Sequence, residues 1–220
     1  MEKTKTLPLY KKRFNELSGV EKQRVIIKRK LKIYKANFQS AIGTIYYLWV
    51  GSDRGKEAGN EGSGQVKLSL LVNGKKSFEN YIEKLKENSC TKVLFPLHNK
   101  KSAETENYIL DYLSGKVKNI SLDTYFLFGT DFEKKVWNTA VLIPYGKTLS
   151  YRELAEKAGF PLAWRAVGSA LGHNPVMLVV PCHRIIKSDG SVGNFGGGVK
   201  VKEFLLNLEA LSSSFYQENY

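Results

Sequence analysis

Two helix-start signals, Thr130 with Glu133 and Ser150 with Glu153, stand close to strong stop signals in the second half of the chain, and they leave room only for short helices. In each, a hydroxyl followed three residues later by a carboxylate can satisfy two of the backbone N–H groups that a helix start leaves unpaired. Phe132, Val136, Trp137 and Ala140 line one face of the first helix, which Pro144-Tyr145-Gly146 ends. Leu154, Ala155 and Ala158 belong to a second, closed by Gly159. Pro161 suits the first turn of a third, with Val167, Ala170 and Leu171 inward and Gly172 at its end. Two short helices joined around Gly159-Phe160 read as a helix-turn-helix, a pattern shared by many helical hairpins that never touch nucleic acid. An apolar stretch, Val176 to Val180, and a glycine-rich segment, KSDGSVGNFGGG at 187–198, precede a last helix. Its apolar stripe is Val201, Phe204, Leu205, Leu208 and Leu211, with Glu209 at the edge.

The first half has a different grammar. A β-rich run, Ile42 to Val50, and an alternating run, Val66, Leu68, Leu70 and Val72, closed by Asn73-Gly74, read as paired strands. Between them GSDRGKEAGNEGSG, residues 51–64, has the composition of a mobile loop. Phe78, Tyr81, Ile82 and Leu85 follow helical spacing, as do Tyr108, Leu110 and Tyr112-Leu113 more loosely. The expected class is α+β. A small N-terminal α/β domain with antiparallel strands and a basic leading segment covers 1–120, and a mainly helical domain with the helix-turn-helix covers 121–220.

A chain of 220 residues with 42% hydrophobic and 12% aromatic residues can bury a sizeable core. Two cysteines, Cys90 and Cys182, are too few for a disulfide scaffold, and the N-terminus lacks the pattern of a secretory signal. The expectation is an intracellular protein with free thiols, nuclear in a eukaryote and cytoplasmic otherwise. No apolar run approaches the roughly 20 residues of a membrane span. The histidines, His98, His173 and His183, form no cluster with zinc spacing, so no metal or other cofactor is expected. The formal net charge of +13 attracts polyanions, nucleic acid first. Lys11 to Lys35 carries ten Lys/Arg against Glu16 and Glu21, which fits a binding arm, a localisation signal or a solvated face.

The segment Val-Val-Pro-Cys-His-Arg at 179–184 poses the chemical question. Free cysteine is usually a small buried hydrophobe. Against that, His183 could activate a thiol, Arg184 would favour a thiolate and Glu209 could orient an imidazole. Adjacent residues of an extended chain point apart, so transfer from Cys182 to His183 needs a local turn or a bridging water.

The order and spacing of GTDFEKKVW (129–137), IPYGKTLSYRELA (143–155), RAVGSALGHNP (165–175), VVPCHRII (179–186), VGNFGGG (192–198) and VKEFLLNLE (201–209) resemble those of the O6-alkylguanine-DNA alkyltransferases. The resemblance covers some 80 residues; the first half shares only size and features such as YLSGK at 112–116. It implies a single-use repair protein that moves the alkyl group of O6-alkylguanine, and of O4-alkylthymine, in double-stranded DNA onto its own cysteine. Carried over, Cys182 is the nucleophile, His183 its base through water, Glu209 the residue that holds His183, and Asn174 the brace of the turn. Tyr151 would help rotate the nucleotide and protonate guanine N3, and Arg165 would fill the gap left in the stack. The carbonyls of Cys182 and Ile185 would accept the guanine amine, with Arg184, Phe195 and Gly196 also at the substrate. The small residues Ala163, Ala166 and Ser169 would let the recognition helix approach the minor groove, and the protein would act as a monomer. Two positions depart from the family: Phe195 replaces the usual tyrosine, and Trp164 is bulkier than the residue usually found before the arginine. Cys90 and His98 do not reproduce the zinc ligands of some members. A non-reactive alkylated-DNA binder, a helix-turn-helix regulator and a cysteine hydrolase are the competing readings.

Overall fold

The computed structural model describes residues 31–52, 67–87, 94–96 and 100–217. Most of the basic segment Lys11 to Lys35, the greater part of the glycine-rich loop, Val66, Cys90 and His98 lie outside the described residues.

A hairpin opens the fold. Strands β1 (Leu31–Ser40) and β2 (Gly43–Ser52) are antiparallel, and Gly43, at φ +100, supplies the left-handed turn between them. β3 (Lys67–Asn73) pairs antiparallel with β2, and a three-residue β4 (Leu94–Pro96) adds parallel to β1, giving the order β3-β2-β1-β4. The expected pair of strands is therefore present, with Gly74 at φ +97 ending β3. β1 and the parallel β4 extend the sheet beyond that pair. Helix α1 (Lys75–Glu87) covers one sheet face, burying Ile82 and Leu85 against Ile33, Leu48, Val50 and Leu70. Helix α2 (Lys100–Leu113) covers the other with Ile109, Tyr112 and Leu113, while Leu110, expected inward, faces solvent. With both faces covered, Leu68, Ser69, Leu70 and Leu71 are all buried, so β3 does not alternate in burial.

In the second half, α3 (Asp131–Ala140) and α4 (Tyr151–Lys157) begin at the two expected capping boxes. Thr130 Oγ1 accepts from Glu133 N at 3.1 Å and Ser150 Oγ from Glu153 N at 3.2 Å, with the glutamates returning to the cap backbone at 2.8 and 2.6 Å. Gly159, at φ +86, follows the end of α4. Pro161 lies in the connecting turn instead of a helix: α5 (Trp164–Gly172) starts three residues later, after Ala163, which has no hydroxyl or carboxylate to cap it. A short parallel pair, β5 (Leu149–Ser150) with β6 (Ile185–Ile186), and the terminal helix α6 (Val199–Gln217) complete the fold. The stripe expected on α6 is displaced. Phe204 and Leu211 are exposed, and the buried positions are Lys202, Leu205 and Glu209.

The two halves meet along the free edge of β3. Leu68 exchanges backbone hydrogen bonds with Asp123 (2.7 Å) and Tyr125 (2.8 Å), and Leu71 with Pro175 and Met177 (2.9 Å each). Val176 to Val179 and Leu205 pack into the same core as Tyr47, Trp49 and Tyr112. The chain that approaches Cys182 is thus held in register by the first half. Among the described residues no helix is long and apolar enough to cross a membrane.

Trp137 ties α3 to α5 by donating from Nε1 to the Ala170 carbonyl at 2.7 Å, and its ring lies against Gly129. A Cβ there would sit 2.6 Å from the indole, at a backbone φ of +109. Gly129→Ala should therefore cost about 2 kcal/mol or more. Thermal unfolding should show a midpoint several degrees lower, and an unchanged midpoint would contradict the packing described.

Candidate active site

The segment from Asn174 to Ile186 forms the floor of the site. Leu178 is buried in the left-handed region at φ +69, and Val180 N donates to Val176 O at 2.9 Å, so the chain reverses tightly before Pro181. A single 3-10 turn, Cys182–Arg184, follows, with Ile185 N donating to the Cys182 carbonyl. This turn removes the extended geometry that would have aimed Cys182 and His183 apart. Asn174 braces both ends: its Nδ2 donates to Val180 O and to Cys182 Sγ, each at 3.0 Å, and its Oδ1 accepts from Val176 N at 2.9 Å.

Glu209 is the electrostatic centre, not an edge residue. Its carboxylate accepts from Tyr112 Oη at 2.5 Å, His183 Nε2 at 2.8 Å, Arg184 Nε and Nη2 at 2.9–3.1 Å, and Gly146 N at 2.8 Å. Burial alone would raise its pKa, but these donors outweigh burial and hold it at about 2. An ionised carboxylate can only accept, so Nε2 carries the His183 proton and Nδ1 carries the lone pair. Nδ1 is buried without a protein partner. Burial, opposed by Glu209, keeps the His183 pKa below its ordinary value and the imidazole neutral.

Burial raises the Cys182 pKa, while the Asn174 hydrogen bond, the Lys202 charge and the backbone N–H groups of Cys182 and His183 pull the other way. The resting group is a thiol that needs a base. Lys202 is completely buried, with Nζ donating to the Ile185 carbonyl, and burial lowers its pKa to about 8. Its ammonium also stands 5.9 Å from the centre of the Tyr151 ring. Tyr151 is half-buried with its hydroxyl beside Gly193, where a Cβ would come within 3.2 Å of it, and burial raises its pKa. Phe195 turns its ring edge-on to His183, centroids 6.4 Å apart, and joins Gly196, Asn174, Met177 and Cys182 around a cavity of about 490 Å³.

The remaining expected residues divide. Arg165, Ala166 and Ser169 are exposed on α5, with Ala163 half-buried at its start. Arg184 is buried, gripping Glu209 and the Ile143 carbonyl at 2.7 Å, so the expectation of a substrate or DNA contact is corrected: its guanidinium is spent inside the protein. The Ile185 carbonyl already accepts from Lys202. Sequence reasoning missed Lys202 and the role of Tyr112. The available signal was phase: Lys202, Leu205 and Glu209 lie at i, i+3 and i+7 of one helix, which puts two charges on the inward face with a leucine.

The signs of these shifts set an acid profile. Below its ordinary 6.5, the unfolded chain's His183 takes up a proton that the folded one refuses, so stability declines as pH falls. Glu209 contributes stability that is complete above 4.5 and disappears toward 2, on the order of 3 kcal/mol. Urea unfolding at stepped pH should give a free energy that falls from pH 6.5 and steepens below 4.5. A flat profile would contradict the buried network.

Comparison with known proteins agrees with this geometry. Residues 131–211 match the family model for the 6-O-methylguanine DNA methyltransferase DNA-binding domain. An inducible methylated-DNA--protein-cysteine methyltransferase of Bacillus subtilis is 46% identical over 106 residues, 48% of this chain, and the chain spans only 59% of that relative's length. A methylated-DNA--protein-cysteine methyltransferase of Methanosarcina acetivorans is 33% identical over 177 residues, covering 80% of this chain and 98% of the relative. Among solved structures, the Mycobacterium tuberculosis OGT in complex with DNA superposes with a TM-score of 0.62 at 29% identity, over 81% of this chain and 94% of that one. A likeness that runs through both halves and includes the cysteine turn places the chain in the family of methylated-DNA--protein-cysteine methyltransferases.

Proposed function

We propose that this protein repairs DNA by direct reversal, transferring the alkyl group of O6-alkylguanine, and of O4-alkylthymine, irreversibly to Cys182. The observation that carries the reading is the thiol itself. Cys182 Sγ accepts from Asn174 Nδ2 at 3.0 Å, and the imidazole of the next residue is tied through Nε2 to Glu209 with its other nitrogen unpaired by protein.

In the reaction, His183 Nδ1 takes the thiol proton through a bridging water. The sulfur attacks the alkyl carbon, an S–C bond forms, and the C–O6 bond breaks with its electrons passing to guanine. Tyr151 supplies the proton that guanine N3 gains, so the site's net charge is unchanged. The product thioether does not hydrolyse, and each molecule acts once. Asn174 and Lys202 offset the charge that develops on sulfur. Arg184 serves by fixing Glu209, and the Cys182 carbonyl, with the second lone pair of Ile185, receives the guanine amine.

A thiol cannot reach O6 inside a duplex, so the nucleotide is flipped out at a cost of a few kcal/mol. Arg165 enters the gap, and Ala163, Ala166 and Ser169 allow α5 to lie in the minor groove. Support for a DNA partner comes from the net charge of +13, the exposed α5 surface and the DNA complex of the mycobacterial relative. Residues 121–220 carry the chemistry, residues 1–120 the scaffold, and the protein works as a monomer. Its place of action is the nucleus in a eukaryotic cell and the cytoplasm otherwise.

Intact-mass spectrometry after mixing with an O6-methylguanine duplex should show one methyl per molecule, on Cys182. Repeated release of repaired product from substoichiometric protein would sink the proposal. Cys182→Ala should still bind the damaged duplex, because phosphate contacts dominate affinity.

Phe195 supplies a second test. If the tyrosine usual at this position donates a hydrogen bond to the departing guanine, Phe195→Tyr should accelerate single-turnover transfer about fivefold, the worth of roughly 1 kcal/mol. An unchanged or slower rate in the folded variant would show that the ring only packs against His183.

A further inference from the structure

The start of α5 carries an apolar surface that neither the core nor the cysteine chemistry uses. Leu162 is 93% exposed and Trp164 42% exposed, on either side of half-buried Ala163. The Arg165 guanidinium lies over the Trp164 ring, 4.8 Å from its centre. Arg165, Ala166 and Ser169 continue the exposed strip along the same helix. A leucine this exposed protrudes from the surface, and an indole under a guanidinium is a flat, cation-bearing plate. One leucine and one indole are too little for a stable protein interface, which buries on the order of 1,000 Å² or more. They are enough for a wedge, since one or two apolar side chains unstack a base step.

We propose that Leu162 and Trp164 form an apolar wedge beside Arg165 that enters the base stack of duplex DNA at the flipped nucleotide, with the Trp164 indole stacking on a base next to the gap. The inference rests on the function proposed above and adds a second group to the one expected there. Arg165 fills the vacated position with a charged plane. Trp164 holds that plane in place before contact and afterwards covers a neighbouring base face that extrusion has exposed. Base–aromatic stacking tolerates any sequence, because every base has a π-face. That suits a lesion that can occur in any context.

The test uses the full chain and its own fluorescence. Trp49 and Trp137 are 2% and 1% exposed, so among the chain's three tryptophans Trp164 is the one that meets solvent. In the Cys182→Ala protein, which holds chemistry off, an O6-methylguanine duplex should quench Trp164 emission and shield it from acrylamide. In a Cys182→Ala, Trp164→Phe double variant the duplex should leave the remaining emission unaltered. Trp164→Ala should bind the duplex about tenfold more weakly and slow methyl transfer from duplex more than transfer from free O6-benzylguanine. Leu162→Ser should weaken duplex binding in the same direction by less. Duplex binding, followed by anisotropy of a labelled strand, that leaves Trp164 open to acrylamide overturns the wedge and spares the functional reading. So does full affinity in folded Trp164→Ala. Shielding that appears without DNA and grows with protein concentration marks a face between copies and also overturns it. Absence of both duplex binding and Cys182 methylation removes the functional reading, and the wedge with it.

Discussion

One buried carboxylate organises this protein. Glu209 on α6 gathers the hydroxyl of Tyr112 from α2, the imidazole and guanidinium of His183 and Arg184 from the cysteine turn, and the Gly146 amide from the loop after α3. Taking a carboxylate and a guanidinium out of water is costly, and such pairs are weak evidence for stability. Their value here is positional. Three segments distant in sequence share one acceptor on a fourth, and none can shift without leaving a polar group unsatisfied. Through Tyr112 the arrangement reaches into the first half, so the β-sheet and the cysteine turn are fixed to the same point.

The charges beside that point are unequally matched. Glu209 and Arg184 neutralise each other, and His183 is neutral. Lys202 is left as a buried cation next to a thiol, with the Ile185 carbonyl as its hydrogen-bond acceptor. The Lys202 charge is therefore placed to offset a negative charge on the Cys182 sulfur. For the reaction proposed above this is preorganisation: a field that favours a thiolate is built by folding.

Features determined by a few neighbouring residues could be read from the sequence, and those determined by packing could not. The capping boxes at Thr130 and Ser150, the turns at Gly74 and Gly159 and the inward faces of α3 and α5 are local, and the structure has them. β1 was hidden because its lysines obscured the apolar residues Ile33 and Ala36 on its buried faces. β4 has three residues and no periodicity to detect. Pro161 satisfied a helix start in the abstract, yet a turn fits a proline as well, and α5 begins at Trp164. Arg184 looked available because charged residues usually are, and only the position of Glu209 across the core explains its burial. The apolar stripe of α6 does not mark its inward face, because Lys202 and Glu209 lie there, held by polar partners that come from distant segments.

The turn that presents Cys182 is also notable for what it prevents. Leu178 is locked in a left-handed conformation, Asn174 grips the chain at Val180 and at sulfur, and β3 holds Met177 through its backbone. These contacts hold the Cys182 turn at several points along its backbone. For a protein acting on DNA as proposed, the burden of movement falls on the nucleic acid. Repair would then keep time with the local breathing of the double helix: lesions in loosely paired, easily unstacked surroundings would be cleared first, and those in stiff, well-stacked tracts would persist longest.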